Sequence, residues 1–183
     1  MDYLVREATG ADTELIARVH VASWQETYRG LIDDAIIDAR TVERRTAQWS
    51  EALRATKRIT LVACVQERMC GFVSAVVEQP SQTVASGYLQ TLYVLRSAQG
   101  FGIGRALLRA AAQALCERGC TALTLHVLPN NLAARGFYER LGARYVGDRV
   151  QADDEDDWCD AVYEWSNLAS LAAPENESAA PFV

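Results

Sequence analysis

Apolar residues along this chain follow two periods, which together predict a mixture of helices and strands. At helical spacing, Leu15, Ile16 and Val19 lie on one face of the first long segment. Short apolar runs that polar residues or glycines bound indicate strands. Helices are predicted over residues 9–30, 33–55 with an interruption, 102–117 and 131–141. Strands are predicted over residues 3–6, 59–65, 71–77, 88–94, 123–128, 145–150 and 160–165.

The order of these elements predicts the class of the fold. Helices and strands mix without strict alternation, which favours an α+β domain around a central mixed sheet. Two neighbouring apolar runs joined by the polar residues 66–68 predict an antiparallel hairpin. From Ser166 onward Ala, Pro, Glu, Asn and Ser dominate, which predicts a disordered tail over residues 166–183. One domain is therefore expected over residues 1–165.

Composition and charge argue against several kinds of site and partner. The chain has 183 residues, of which 50% are hydrophobic, enough for one sizeable core. Its five cysteines lack paired spacing and only two histidines are present, which argues against a metal site. No apolar run approaches the roughly 20 residues that span a bilayer, and no secretory leader is recognisable, so we expect a cytoplasmic protein without a membrane partner. The net charge of −6 includes the acidic run 153–157, and no basic patch suggests nucleic acid as a partner.

A glycine-rich turn, Gln99-Gly100-Phe101-Gly102-Ile103-Gly104-Arg105, carries the clearest chemical signal. It follows the strand end Leu92-Tyr93-Val94 and opens a predicted helix. Glycine permits positive φ and close approach of a ligand, and the unpaired N–H groups of a first helical turn favour an anion such as a diphosphate. The spacing matches neither a P-loop nor the GxGxxG turn. Arg96 or Arg105 is a further phosphate-binding candidate, and a simple connecting turn is the alternative.

With a second motif, this turn resembles the signature of the Gcn5-related N-acetyltransferase (GNAT) superfamily. Gln99-x-x-Gly102-x-Gly104 is similar to the acetyl-CoA diphosphate motif of that superfamily. Asn131-x-x-Ala134-x-x-Phe137-Tyr138-Glu139-x-x-Gly142 is similar to its second motif, and one predicted helix and one strand separate the two, as in the family. The resemblance covers roughly residues 3–165. It implies the GNAT fold, a largely antiparallel seven-stranded mixed sheet flanked by about four helices.

The resemblance also implies an activity and a role for each matched residue. The expected activity is acetyl-CoA-dependent transfer of acetyl to a primary amine of a small molecule or peptide, by direct attack in a ternary complex. The strand end at residues 92–94 is expected to pair with the pantetheine arm, and residues 99–104 to hold the diphosphate. Asn131, beside Ala134, is expected to hydrogen-bond the pantetheine arm, and Tyr138 to lie beside the thioester sulfur.

Tyr138 is the predicted general acid. A phenol with an unperturbed pKa of about 10 is protonated at neutral pH and can donate its proton to a departing thiolate. The alternative is a core tyrosine on the apolar face of the last long helix.

His126 is the hypothesised general base. Many relatives carry a glutamate on the fourth strand, where this chain has Tyr88 or Gln90, so a direct carboxylate base is not expected there. In the ribosomal-protein N-terminal acetyltransferases a glutamate occupies the position of His126, and a histidine with a pKa of about 6.5 is suited to accept a proton. A packed histidine without catalytic duty, Glu26, or a water chain to solvent are the alternatives.

The acceptor side is predicted from four residues and one loop. Trp24, Tyr28, Tyr88 and Gln90 are expected to line it. Five carboxylates at 153–157 would attract a cationic acceptor, such as a polyamine, an aminoglycoside-like amine or a basic peptide, with a solvated loop as the alternative. A non-catalytic acyl-CoA-binding or regulatory module is the competing function. The oligomeric state stays open, with a homodimer as one alternative.

Overall fold

The computed structural model describes residues 1–78, 85–150 and 159–173, and gives seven strands and six α-helices within them. The strands are β1 (Leu4–Glu7), β2 (Arg58–Val65), β3 (Arg68–Glu78), β4 (Ala85–Val94), β5 (Cys120–Val127), β6 (Arg144–Val150) and β7 (Cys159–Trp165). The helices are α1 (Thr13–Tyr28), α2 (Asp34–Asp38), α3 (Val42–Ala52), α4 (Ile103–Glu117), α5 (Leu132–Arg140) and α6 (Leu168–Ala172).

All seven strands belong to one sheet, in the order β1-β2-β3-β4-β5-β7-β6. Neighbouring strands are antiparallel except β4 and β5, which run parallel and are connected through α4. The predicted α+β class and the largely antiparallel seven-stranded sheet are therefore confirmed. Four helices are nine residues or longer, in agreement with the expected number, whereas α2 and α6 have five residues each.

Helices cover both faces of the sheet, because the strands alternate their apolar side chains between two cores. Leu61 and Val73 face the larger core beneath α4, α5 and α6, whereas Val62 and Phe72 face a second core beneath α1 and α3. Burial of each such side chain stabilises the fold by roughly 1.5–3 kcal/mol. Among the described helices, none is long and apolar enough to cross a membrane.

The prediction of disorder is wrong for the first part of the C-terminal segment. Leu168–Ala172 forms α6, in which Leu168 and Leu171 are 0% and 4% exposed. The two leucines are three positions apart, so they share one helix face and pack in the core beside α4. The prediction was made from the average composition of residues 166–183, which does not reveal two apolar residues at helical spacing. Residues 174–183 lie outside the described part of the chain.

Candidate active site

The parallel pair β4–β5 opens at its carboxyl end. Paired register between the two strands ends at Leu89 and Leu125, although β4 continues to Val94 and β5 to Val127. Beyond that pair the strands separate, so the β5-facing edge of residues 91–94 borders a cleft. Clefts at the carboxyl ends of parallel strands are common ligand sites.

A β-bulge at Gln90 sets which side chains of β4 face each core. Leu89 pairs with Ala75 and Thr91 with Ser74, so Gln90 is the extra residue on β4. Leu92 and Val94 consequently pack with the α4 side, and the Tyr93 side chain lies on the α1 side. Gln90 is exposed, and its side chain accepts a hydrogen bond from Arg58 of β2 across β3. The bulge, rather than strict alternation, thus determines the side-chain directions beside the cleft.

The glycine-rich turn has the geometry of an anion site. Gln99 Nε2 donates to the Val94 carbonyl at 2.9 Å, which closes the turn onto the strand end. Gly100 and Gly102 have φ of 83° and 84°, which glycine adopts without strain. Gly102 is the N-cap of α4 and supplies no side-chain cap. The first helical bond is Ala106 N–H to the Gly102 carbonyl, so the amides at 103 and 104 point out of the helix end and fit a diphosphate.

Side chains of the turn have different roles from its amides. Phe101 is 49% exposed, whereas Ile103 is buried and anchors α4 in the core. Arg105 lies in the first turn of α4. Arg96 anchors the preceding 3-10 turn to α1, because its amide donates to Glu26 Oε2 at 2.8 Å and its guanidinium donates to the Glu26 carbonyl at 2.6 Å. Arg96 and Glu26, which were candidates for phosphate binding and proton transfer, therefore fix the position of this turn.

Helix α5 carries the second motif, is capped by Asn131 and packs closely against α4. Asn131 is buried and caps α5, with its side-chain oxygen accepting from the Ala134 amide at 3.2 Å. Only its amide nitrogen is left for the predicted bond to a pantetheine arm. A Cβ on Gly104 would lie 3.4 Å from the Phe137 ring, so glycine allows α4 and α5 to approach closely.

Two charged residues of the same motif hold α5 against β7. Arg135 Nε donates to the Tyr163 hydroxyl at 2.9 Å, and that hydroxyl donates to Glu139 at 2.6 Å. Arg135 and Glu139 therefore position the helix that carries Tyr138.

Tyr138 is buried, with 9% of its surface exposed. Its ring makes edge contacts with Phe137 and Trp165, at centroid distances of 5.3 and 6.1 Å. Burial raises the pKa of Tyr138 well above its usual value, with a smaller contribution from Tyr28. Burial also raises the pKa of Tyr28 and of Tyr93. The Tyr138 phenol is therefore protonated at neutral pH, as a general acid must be before it reacts.

His126 lies on β5 just beyond the last residue that pairs with β4, on the opposite strand face from Leu125 and Val127. Its ring makes an edge contact with Tyr88 at 5.1 Å, and its Nδ1 lies 3.9 Å from Asp160 Oδ2. Burial lowers the pKa of His126, although Asp160 acts in the opposite direction. The imidazole is therefore neutral at physiological pH and can accept a proton.

Asp160 is the residue that the sequence analysis missed. It is 5% exposed and is the second residue of β7, three positions after the acidic run 153–157. Its charge raises the pKa of Tyr28 and Tyr88 as well as that of His126. Its sequence context offers no signal, because only the pairing of β5 with β7 brings it to the cleft.

Three of the four residues predicted to line the acceptor side make aromatic contacts, in two separate pairs. Trp24 and Tyr28 are in contact, with ring centroids 4.1 Å apart, and Tyr88 contacts His126. Gln90 is turned toward Arg58 instead. The acidic run 153–157 lies outside the described residues. Within the described ranges, no group of three or more His, Cys, Asp or Glu side chains is arranged to hold a metal ion.

Comparison with known proteins places this architecture in a family. Residues 19–143 match the Acetyltransferase (GNAT) family. The N-acetyltransferase YuaI of Bacillus subtilis (strain 168), itself uncharacterised, is 30% identical over 150 residues, which are 82% of this chain and 83% of YuaI. The chain therefore belongs to the GNAT acetyltransferase family, and it is a transferase of the N-acetyltransferase class.

Solved structures share the fold at lower sequence identity. The PaiA N-acetyltransferase of Thermoplasma acidophilum, solved in complex with coenzyme A, superimposes with a TM-score of 0.72 at 20% identity, covering 90% of this chain and 98% of that one. The ribosomal-protein-alanine N-acetyltransferase of Brucella melitensis superimposes with a TM-score of 0.67 at 25% identity, covering 88% of this chain and 98% of that one.

Proposed function

We propose that this protein transfers acetyl from acetyl-CoA to the primary amine of a small molecule or peptide, by direct attack in a ternary complex. The proposal depends on three features of the structure. The strands β4 and β5 stop pairing before their carboxyl ends, the start of α4 has no side-chain cap, and the Tyr138 phenol is buried. An acetyl donor with an anionic tail and a thioester head matches these features. Membership of the GNAT family supports the same donor.

The donor is held by main-chain groups more than by side chains. The amides at 103 and 104 bind the diphosphate, and the open edge of residues 91–94 pairs with the amide groups of the pantetheine arm. A backbone N–H at this edge stabilises the negative charge that develops on the carbonyl oxygen, a contribution of roughly 3 kcal/mol in comparable sites. Asn131 donates from its amide nitrogen to the same arm.

Two side chains move the protons of the reaction. The amine nitrogen attacks the thioester carbonyl carbon, a C–N bond forms and the C–S bond breaks. His126 takes the proton that the amine loses, because its imidazole is neutral and lies just beyond the last pair of β4 and β5. Tyr138 gives its proton to the departing sulfur, since a thiolate with a reference pKa of about 8.5 needs a donor at neutral pH.

Replacing Tyr138 by Phe tests the proposal. Tyr138→Phe removes one hydroxyl and keeps the ring contacts, so we expect kcat to fall about 10²- to 10⁴-fold while acetyl-CoA binds with unchanged affinity. The measurements are thiol release over a panel of amines and a calorimetric titration with acetyl-CoA. Tyr145→Phe is the matched control, because Tyr145 is 49% exposed on β6.

Two outcomes contradict parts of this account. Unchanged turnover of Tyr138→Phe removes the phenol from the mechanism. Acetyl-CoA binding by the wild-type protein without thiol release for any amine favours a non-catalytic acyl-CoA-binding module.

A further inference from the structure

A row of ionisable side chains crosses four neighbouring strands of the sheet. In strand order these are Tyr88 on β4, His126 on β5, Asp160 on β7 and Arg149 on β6. Tyr88 makes an edge contact with the His126 ring at 5.1 Å, and His126 Nδ1 lies 3.9 Å from Asp160 Oδ2. Arg149 is directly opposite Asp160 in the pairing of β6 with β7. Asp160 therefore lies between an arginine on one neighbouring strand and a histidine on the other.

The strand register explains why Asp160 and His126 meet. Val162 is directly opposite His126, and Asp160 precedes Val162 by two positions. Residues two positions apart on a strand share a face, so Asp160 is the diagonal neighbour of His126, within reach of a side chain. Both side chains are largely withdrawn from water, with 14% of His126 and 8% of Asp160 exposed. Dissolved ions therefore screen their interaction only weakly.

This geometry decides which nitrogen of His126 carries the proton in the neutral ring. A neutral imidazole has one N–H group and one nitrogen with a lone pair, and the surroundings select between the two tautomers. A carboxylate beside Nδ1 attracts an N–H group there and repels a lone pair. At 3.9 Å the two atoms are beyond hydrogen-bond distance, so Asp160 acts on the ring through its charge.

His20 has the opposite arrangement and serves as an internal reference. Its Nδ1 accepts a hydrogen bond from Trp49 Nε1 at 3.1 Å, so Nδ1 holds the lone pair and the proton is on Nε2. Burial lowers the pKa of His20 to about 3, so this ring is neutral at physiological pH. The chain has two histidines, and the structure assigns a different tautomer to each.

We infer that Asp160 is a positioning residue, which holds the N–H of His126 on Nδ1 and leaves Nε2 as the atom that accepts the proton of the amine. The inference rests on the proposed acetyl transfer. As the C–N bond forms and the C–S bond breaks, the proton that the nitrogen loses goes to Nε2. The imidazolium then directs its other N–H at Asp160, whose negative charge stabilises it. Tyr138 supplies the proton of the thiol, and transfer of one proton from Nε2 to the phenolate through solvent restores both groups.

Nitrogen NMR distinguishes the two tautomers directly. Long-range proton–nitrogen correlation spectra of the isotope-labelled protein are recorded at about pH 8, where both imidazoles are neutral. The spectrum of His126→Gln assigns the signals. We expect the proton of His20 on Nε2 and that of His126 on Nδ1. A His126 proton on Nε2 overturns the inference, and this result needs no variant at Asp160.

Replacing Asp160 tests whether its charge is the cause. Asp160→Asn is expected to move His126 toward the Nε2–H tautomer and to leave His20 unchanged. Asp148→Asn is the matched control, because Asp148 is exposed on β6 opposite Ala161, a residue of the core on the other face of the sheet. An unchanged His126 tautomer in Asp160→Asn, or an equal change in both variants, overturns the inference.

The charged groups around His126 predict opposite shifts of its pKa in two variants. Asp160 and Glu78 raise that pKa, whereas burial and Arg149 lower it. Asp160→Asn should therefore lower the pKa of His126, and Arg149→Gln, a change at an exposed residue, should raise it. The same spectra recorded against pH measure both shifts. Shifts of the same sign in the two variants contradict the inference.

Activity measurements separate this inference from the proposed function. With an amine that supports thiol release, Asp160→Asn is expected to lower kcat about 10- to 100-fold, as loss of a group that orients a functional histidine does, and to leave acetyl-CoA affinity unchanged. Unchanged kcat together with a changed tautomer overturns the inference, because Nε2 then does not accept the proton. Absence of thiol release with every amine contradicts the proposed function instead, while the tautomer of His126 still tests the effect of Asp160.

Discussion

The two histidines show how surroundings assign different roles to one residue type. His20 is 5% exposed in the core beneath α1 and α3, where its Nδ1 accepts from Trp49 Nε1 at 3.1 Å. Burial there, with Arg45 and Arg40 nearby, lowers the pKa of His20 to about 3. This histidine is a neutral acceptor that holds α3 to α1. His126 instead borders the cleft and keeps a carboxylate beside it.

Replacing His126 is expected to remove the fall in kcat at acidic pH. The neutral imidazole is the proposed proton acceptor, so kcat falls as pH drops through its pKa, which lies below 6.5 because of burial. His126→Gln should lower kcat about 10²-fold at neutral pH and abolish that acidic limb. The measurement is kcat against pH at saturating acetyl-CoA and acceptor.

Asp160 supplies the matched variant for this prediction. Its charge raises the pKa of His126, so Asp160→Asn should move the acidic limb to lower pH and leave its shape intact. An acidic limb that is identical in wild type, His126→Gln and Asp160→Asn would assign proton acceptance to another group or to water.

At the scale of the elements, the start of α4 has the clearest relation between sequence and function. The glycine spacing predicts an anion site, and the positive φ of Gly100 and Gly102 and the uncapped helix end have the corresponding geometry. That much is local, since a few neighbouring residues determine the backbone of a turn. The β4 bulge could not be predicted in the same way, because it depends on how β3 pairs with β4.

Two glycines at opposite ends of α4 provide a controlled test of the anion site. Gly102 has φ of 84° and Gly119 has φ of 83°, and neither has a crowded position for an added methyl group. Each change to Ala should cost roughly 1–2 kcal/mol of stability from left-handed strain. Only Gly102→Ala displaces the diphosphate-binding amides, so it alone should weaken acetyl-CoA binding, by about tenfold. Calorimetric titration measures the affinity, and equal affinities in the two variants would argue against this site.

At the scale of the whole molecule, α6 completes the core that supports α4. Leu168 is fully buried there, so Leu168→Ala should lower the free energy of unfolding by about 2–5 kcal/mol. Leu132→Ala is the control, because Leu132 is 71% exposed and its truncation should change stability by less than about 0.5 kcal/mol. Denaturant unfolding followed by circular dichroism measures both. Equal stabilities would mean that α6 does not contribute to the core.

The sequence by itself determined the features that depend on short separations along the chain. These are the helical and extended segments, the glycine turn before α4, and the motif that places Asn131 at a helix start and Tyr138 on its apolar face. Each follows from periodicity or from a turn of a few residues, where local sterics and hydrogen bonds decide the backbone.

The tertiary structure decided which distant residues meet. Asp160 approaches His126 because β7 inserts beside β5. Such contacts depend on strand order and helix packing, which are set by burial of the whole apolar surface rather than by any local pattern. For that reason the glycine turn and the motif on α5 could be recognised in the sequence, whereas the proximity of Asp160 to His126 became visible only in the folded molecule.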